Sequence, residues 1–343
     1  MTTKRATIDD VAKLANVHKA TVSRALNPRT EHQIGRDTVV RVRAAAERLG
    51  YVPNAMARGL RTANSMTIGV VLPDLTNPLF PPMVRGIEDF LQPRGYTALL
   101  ANTDDNEASE RLAIGSLMAR RVDGLIVASG HSDFAALADA REASVPTVLL
   151  NRDAGTLQIP LVTGDDANGI TEAVAHLVEL GHRDITHLAG PPKLSTSTAR
   201  RVAFDAACAA APGVRGRVVQ GTALTIDGGH QAMDRVAESD GPRPSAIIAG
   251  NDLMALGVLR WLRTHGLGCP GDVSVVGFND MLFAGDFTPP LTTVRVPTLQ
   301  MGAEAARMLL DIMRTGEMPA AILRLPVSLV VRGSTGPVAA ARS

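Results

Sequence analysis

Aromatic side chains are scarce: one Trp, two Tyr and seven Phe make up 3% of 343 residues. Cysteine is scarcer still, with only Cys208 and Cys269, and no CxxC or Cys/His spacing accompanies them. That argues against a metal site and against a structural disulfide, and makes a reduced cytoplasm the default. No apolar run approaches the roughly 20 residues of a membrane span. The basic start meets Asp9 and Asp10 where an export signal needs its apolar stretch, so no signal peptide is read. There is no GxGxxG after a strand, no P-loop, no GxSxG and no HExxH. His176, His182 and His187 lack a carboxylate or cysteine at ligand spacing, so neither an enzyme nor a bound cofactor or metal is expected. The C-terminal GSTGPVAAARS carries no leucine heptad, which leaves a tetramer-forming coiled coil unsupported and a homodimer as the expectation.

What is present is a globular chain long enough for two or three domains, 45% hydrophobic and 20% charged. Its net charge of +1 hides an asymmetry. Residues 1–65 hold 12 basic and five acidic side chains, a balance of +7, and the remainder holds 23 and 29, a balance of −6. A basic head on an acidic body fits one end that meets a polyanion, although a merely solvated basic surface would look alike.

The head reads as all-α. Residues 8–15 form a short helix capped by Thr7, with Asp9 and Asp10 in the first turn where the helix dipole favours them. A break at Asn16 and Val17 leads to a second helix, 19–26. Two helices of under three turns with so short a break fit a helix-turn-helix, whose second helix presents its N-terminal side chains to base edges in the major groove. Those side chains are His18, Lys19, Ala20, Thr21 and, a turn on, Arg24. Arg and Lys can donate to guanine, while Ala20 and the Thr21 methyl can meet a thymine methyl. Asn27, His32 and Thr38 suit phosphate oxygens, and Thr7 and Ser23 complete the set of DNA-contact candidates. A third helix runs over 38–50. The segment 53–60 is a helix too short, and too weakened by Gly59, to hold alone in water; it needs a partner surface.

From residue 66 strands alternate with helices: 67–72, 97–101, 124–128, 147–150, 185–189, 217–220, 246–249 and 273–276. This pattern implies an α/β body of parallel sheets covered on both faces, with ligands binding beyond the strand C-termini. The residues there are 73–80, Asn102, Ser129, Asn151, Arg152, Asn251, Asp252, Asn279 and Asp280. Asn, Asp and Arg dominate, a set suited to hydroxyls or amides, although Asn and Asp also favour loops and helix caps for local reasons.

The runs TIDDVAKLANVHKATVSRALN (7–27) and RLGYVPNAMARGL (48–60) closely resemble the LacI/GalR family of transcriptional regulators. ELGHRDITHLAGP (179–191), GNDLMALG (250–257) and DVSVVGFND (272–280) extend the resemblance over almost the entire chain. It implies that Lys19, Ala20 and Arg24 read bases and that Leu60 wedges into the minor groove, with Ala57 and Arg58 lining it and Asn54 helping to start the hinge helix. Such a wedge would kink the duplex. Asn16 replaces the usual turn glycine, and His18 stands where a serine usually caps the reading helix.

For the body the resemblance implies a periplasmic-binding-protein-like effector domain of two Rossmann-like lobes with parallel sheets. It places three crossovers near 155–163, 288–292 and 320–326. The implied division is a DNA-binding domain 1–52, a hinge 53–63, an effector and dimerisation domain 64–333 and a flexible tail 334–343. Within the effector domain the first lobe would hold 64–157 and 291–322, and the second 160–289 and 323–333. Positions matching effector contacts are Asn77, Phe80, Asn151, Arg152, Arg200, Asn251 and Asn279, and Ser129 joins them from its place after a strand. Arg200 stands out because a guanidinium fork holds two hydroxyls or a carboxylate. A salt bridge on a helix is the plainer role, and Arg201 beside it is easily mistaken for it. QGTALTIDGG (220–229) lacks an aromatic that several sugar-binding relatives place there, leaving Phe80, Phe204 and Phe278 for stacking. A sugar or polyol is favoured; a purine or an acid also fits.

The expectation is therefore a cytoplasmic, ligand-switched regulator that binds a palindromic double-stranded operator as a dimer, most simply as a repressor. A solute-binding protein of a transporter would use the same body but has no need of the basic head.

Overall fold

The computed structural model describes residues 6–27, 30–51, 64–129, 135–239, 241, 243–318 and 320–338. They fall into two compact units, Met1–Ser65 and Met66–Ser343.

The first unit is three helices. Thr7 opens α1 (Ile8–Ala15) with a reciprocal cap: its Oγ1 accepts the Asp10 N–H at 3.3 Å, while its own N–H donates to Asp10 Oδ2 at 2.9 Å. Asn16 closes α1 in the left-handed region at φ 51°, where Asn is tolerated better than most residues. Then come α2 (Lys19–Ala25) and α3 (Arg36–Arg48). The buried core is Val11, Ala12, Ala15, Val22, Ala25, Val42, Ala45 and Ala46, with nothing larger than valine, so the helices pack closely. Helix α3 starts two residues before the expected position because Gly35 supplies the N-cap, with Asp37 in the first turn. It ends at Arg48, and Gly50 follows at φ 60°. The expected hinge helix, with Asn54, Ala57, Arg58 and Leu60, lies outside the described residues.

The second unit holds two six-stranded sheets. The first contains β1 (Thr67–Leu72), β2 (Thr97–Asn102), β3 (Gly124–Val127), β4 (Thr147–Leu150), β5 (Leu161–Gly164) and β11 (Ile322–Leu325). Its order is β11-β5-β4-β3-β1-β2, and every neighbouring pair is parallel. Helices α4 (Phe80–Leu91), α5 (Glu107–Ala119) and α6 (Ala135–Glu142) connect its strands, and α11 (Thr298–Thr315) returns to pack on α4 and on β3–β5. The second sheet contains β6 (Asp184–Ala189), β7 (Arg215–Gln220), β8 (Ala246–Ala249), β9 (Ser274–Asn279), β10 (Thr292–Arg295) and β12 (Ser328–Val330). Its order is β12-β10-β9-β8-β6-β7, parallel except for the antiparallel edge pair β10–β12. Helices α7 (Asp166–Glu179), α8 (Ser195–Ala210), α9 (Ile226–Glu238) and α10 (Asp252–Thr264) belong to this lobe.

The crossings between lobes fall later than the sequence reading placed them. Leu161–Gly164 pairs with β4 inside the first sheet, so the first crossing comes at Asp165 rather than over 155–163. Thr292–Arg295 pairs with β9, which moves the second from 288–292 to Val296 and Pro297. Ile322–Leu325 pairs with β5, so the third lies at Pro326 and Val327, and 323–325 belong to the first lobe. Each of these strands has only four residues, and nothing in so short a run, TTVR in β10 above all, distinguishes a strand from a linker.

Both lobes join helices by the same device. Gly86 of α4 lies against the Leu299 carbonyl of α11, and Gly302 of α11 lies against the Met83 carbonyl of α4; a Cβ at either would fall onto that oxygen. In the second lobe Gly229 of α9 faces the Met254 carbonyl of α10, and Gly257 of α10 faces the Ile226 carbonyl of α9.

The segment after Gly333 is not the flexible tail expected. Ser334 is fully buried; its Oγ donates to the Val275 carbonyl at 2.6 Å and accepts the Thr292 N–H at 2.8 Å. The Gly336 carbonyl lies 3.0 Å from His182 Nε2, and the Val338 N–H donates to the Leu180 carbonyl at 3.0 Å. Residues 334–338 thus run as a strap beneath the second lobe, because hydroxyls and main-chain groups there find buried partners. Residues 339–343 lie outside the described chain.

Candidate functional site

The head presents one side of α2. Lys19 and Arg24 are exposed, Ala20, Thr21 and Ser23 are half-buried, and Val22 and Ala25 point into the core. His18 is the N-cap itself: its Nδ1 accepts the Ala20 N–H at 3.2 Å. The serine missing from the sequence is therefore replaced in function, and in the neutral ring the proton sits on Nε2, which is left to donate outward. Thr7 is committed to α1, since its hydroxyl donates to Asp10 Oδ2 at 2.7 Å. The Asn27 carbonyl accepts the Thr30 and Glu31 N–H groups, placing Asn27 at the turn that leaves α2. His32 is exposed on a single 3-10 turn, and Thr38 lies half-buried in the first turn of α3. An Arg43–Glu31 ion pair ties that loop to α3.

In the first lobe the loop after β1 is held by its own polar side chains. Asn77 Oδ1 accepts the Leu79 N–H at 3.1 Å, and Asn102 Oδ1 at the end of β2 accepts the Leu75 N–H at 2.9 Å. Phe80 is 1% exposed and belongs to the core, so its stacking role is not realised here. Asn151 ends β4 with φ 71°, its carbonyl accepting Thr163 Oγ1 at 3.1 Å. Arg152 is buried, and its Nη1 donates to Asp105 Oδ1 at 2.7 Å and to the Ser129 carbonyl at 2.8 Å. Arg152 Nε and Ser129 Oγ are buried and have no hydrogen-bond partner among the described residues.

In the second lobe Arg200 is buried. Its Nε donates to Asp166 Oδ1 at 3.0 Å, Nη2 lies 3.0 Å from the same oxygen, and Nη1 donates to the Gly250 carbonyl at 2.7 Å. The guanidinium stacks 3.7 Å over the ring of Phe278. Arg201, by contrast, points out and pairs with Asp205. Burial raises the Asp166 carboxyl above its usual value, and the charge and hydrogen bond of Arg200 pull it back. Asn279 ends β9 at φ 116°, and its Oδ1 is buried without a partner among the described residues, as is Ser197 Oγ in the first turn of α8. Asn251 is engaged in structure: Oδ1 caps α10 by accepting the Met254 N–H at 2.9 Å, and Nδ2 donates to the Leu224 carbonyl at 3.0 Å. Beside it burial drives the Asp252 carboxyl up to about 7, against hydrogen bonds from Thr293 Oγ1 at 2.5 Å and the Met281 N–H at 2.7 Å. Asp280 pairs with Arg295 and Arg332.

Of the buried polar atoms without a partner among the described residues, those of Ser129 and Arg152 on one lobe and of Ser197 and Asn279 on the other follow strand ends, whereas those of His187 and Arg235 lie elsewhere. A link joins the lobes at this level, the Asp153 N–H donating to Ser195 Oγ at 2.8 Å. Unpaired polar groups in a dry interior are costly, and such atoms are suited to a hydroxylated ligand. The sequence reading missed Asp105, Asp166 and Ser197. Adjacent acids at 165 and 166 were the signal for Asp166, but only the fold separates their roles: Asp165 caps α7 by accepting the Asn168 N–H at 3.1 Å, and Asp166 turns inward to Arg200. Among the described residues no cluster of three metal-ligating side chains occurs, and no helix is long and apolar enough to cross a membrane.

A helix-turn-helix unit followed by a two-lobed α/β unit with polar groups at its strand ends defines a DNA-binding regulator with an effector domain. The model for bacterial regulatory proteins of the lacI family matches residues 7–54, and that for the periplasmic binding protein-like domain matches 174–335. Catabolite control protein A of Priestia megaterium is 34% identical over 332 residues, covering 96% of this chain and 99% of that protein. The HTH-type transcriptional repressor CytR of Escherichia coli strain K12 is 32% identical, covering 96% of each. Among solved structures, the lac repressor dimer bound to operator and the anti-inducer ONPF is similar with a TM-score of 0.85 at 28% identity, over 97% of this chain and all of that one. The regulator CelR in complex with cellobiose is similar with a TM-score of 0.72 at 33% identity, over 96% and 100%. The chain belongs to the LacI family of DNA-binding transcriptional regulators, and its relatives are regulators rather than enzymes.

Proposed function

We propose that this protein is a cytoplasmic repressor that binds a near-palindromic operator as a homodimer and is switched by a small sugar or polyol. The observation that carries the DNA half is the outer side of α2, where exposed Lys19 and Arg24 stand about one and a half turns apart on a helix capped by His18. Lys19, Ala20, Thr21 and Arg24 read base edges with His18 beside them, and Asn27, His32 and Thr38 hold phosphates; Ser23 adds a contact from the same helix, and Thr7 serves through the cap it gives α1. Asn54, Ala57, Arg58 and Leu60 form a hinge that folds against the minor groove. Two-fold symmetry of the dimer matches that of the operator. The similar lac repressor structure is an operator-bound dimer, and CelR holds cellobiose; both support the reading.

The effector lies between the lobes, against Ser129, Asn151 and Arg152 on one side and Arg200 and Asn279 on the other. Asn77, Phe80 and Asn251 shape the walls through the loop, core and cap they hold. A ligand that prefers one lobe arrangement changes the spacing of the paired hinges, and with it the partner each hinge needs to fold. Selection from random duplexes with the full-length protein tests this: a palindromic consensus is expected, and no preference for any duplex, with or without sugars and polyols, would overturn it. Arg24→Ala is expected to cost about 1–3 kcal/mol and to relax one base position; an equal loss on all sequences would contradict base reading.

A further inference from the structure

Arg200 enters the effector region already neutralised. Two of its five N–H groups donate, Nε to Asp166 Oδ1 and Nη1 to the Gly250 carbonyl, Nη2 lies 3.0 Å from the same carboxylate oxygen, and its plane is fixed against Phe278. Arg152 across the lobes is likewise paired, at 2.7 Å with Asp105. A buried cation attracts an anion strongly only if its charge is uncompensated; a carboxylate at 3.0 Å repels the incoming anion almost as strongly as the guanidinium draws it. An anionic ligand would then lose its hydration without recovering it. A neutral hydroxyl has no such loss: the remaining N–H groups of Arg200 serve it as directed donors, Asn279 Oδ1 as an acceptor, and the hydroxyls of Ser129 and Ser197 as either.

We infer that Asp166 is a specificity-determining residue, which cancels the charge of Arg200 and so restricts this site to uncharged hydroxylated ligands, excluding phosphorylated and carboxylate-bearing ones. The inference rests on the effector reading above but is tested without knowing the effector. The full-length protein is titrated with sodium phosphate and with sodium gluconate while melting is followed, chloride holding ionic strength constant. Wild type is expected to show no saturable rise in Tm beyond chloride. Asp166→Asn is expected to gain a saturable rise of several degrees that disappears in Asp166→Asn/Arg200→Gln, which separates this site from the basic head.

A saturable rise in wild type that Arg200→Gln removes would overturn the inference, since the guanidinium charge would then be available. So would a folded Asp166→Asn protein with no gain. If that variant does not fold, Asp166→Ser enters the same comparison, and the wild-type arm decides without either. Neutral sugars and polyols without effect would count against the sensing reading and leave this comparison intact.

Discussion

The imidazole Nδ1 of His18 accepts the main-chain N–H of Ala20 at 3.2 Å, so the reading helix is capped by a ring rather than by a hydroxyl. Removing a side-chain cap typically costs about 1 kcal/mol. His18→Ala is expected to destabilise the head by about that amount, and His18→Ser to restore it, as read by thermal unfolding followed through helix content. Equal melting of His18→Ala and wild type would show that the cap contributes nothing.

A helix-contact glycine and an exposed one make opposite expectations for the same substitution. At Gly302 a Cβ falls onto the Met83 carbonyl, so α4 and α11 must separate, and Gly302→Ala is expected to cost about 1–3 kcal/mol. At Gly115, inside α5 and exposed, a Cβ meets nothing within 4 Å. Gly115→Ala is expected to stabilise by about 0.5–1 kcal/mol through helix propensity. Denaturant midpoints of the two variants should move in opposite directions; movement in the same direction would contradict the close approach.

His187 is buried on β6, where desolvation lowers its imidazole to about 4 despite the hydrogen bond between its Nδ1 and the Ile248 carbonyl. The unfolded chain takes up this proton near pH 6.5 and the folded chain only near 4, so stability from the neutral ring is complete above about 6.5 and is lost as pH falls towards 4. Burial lowers His176 and His182 as well, in the same direction. The raised carboxyls Asp166 and Asp252 act the opposite way, so the test is a difference. The stability of wild type relative to His187→Gln is expected to rise with pH across this window by up to about 3 kcal/mol. A pH-independent difference would mean that the ring titrates normally.

Truncation distinguishes the strap from the residues beyond it. Ending the chain after Gly333 removes the buried Ser334 hydroxyl and the contacts of Thr335 with His176 and of Gly336 with His182. It leaves the Thr292 N–H without its partner, and unfolding is expected several degrees earlier, each lost buried partner costing about 1–3 kcal/mol. Ending it after Val338 keeps every one of these contacts and is expected to leave the higher Tm of the two. Equal Tm values for the two truncations would return 334–338 to the status of a loose tail.

Local chemistry made much of this protein legible in one dimension. Thr7 and Asp10 declare the start of α1, Asn16 its left-handed end, and the spacing of Val11, Ala15, Val22 and Ala25 the closed side of the helix-turn-helix; these depend on neighbours within a few residues. Seven of the eight strand runs legible in the sequence fall within two residues of the observed strands, and 273–276 stops three short of Asn279. The short strands at 161–164, 292–295 and 322–325 were not legible, because what makes them strands is a partner far along the chain.

The same division runs through the effector region. That Arg, Asn and Ser stand at strand ends follows from the alternation of strands and helices alone. Which of them carry unsatisfied atoms does not: Asn251 is engaged by a cap and the Leu224 carbonyl, Phe80 by the core, and Arg200 is held by an acid 34 positions away. Periodicity and capping are properties of contiguous residues, so the amino-acid order settled them. Charge compensation and burial are properties of groups that meet only when the chain has folded, and the three-dimensional arrangement alone decided those.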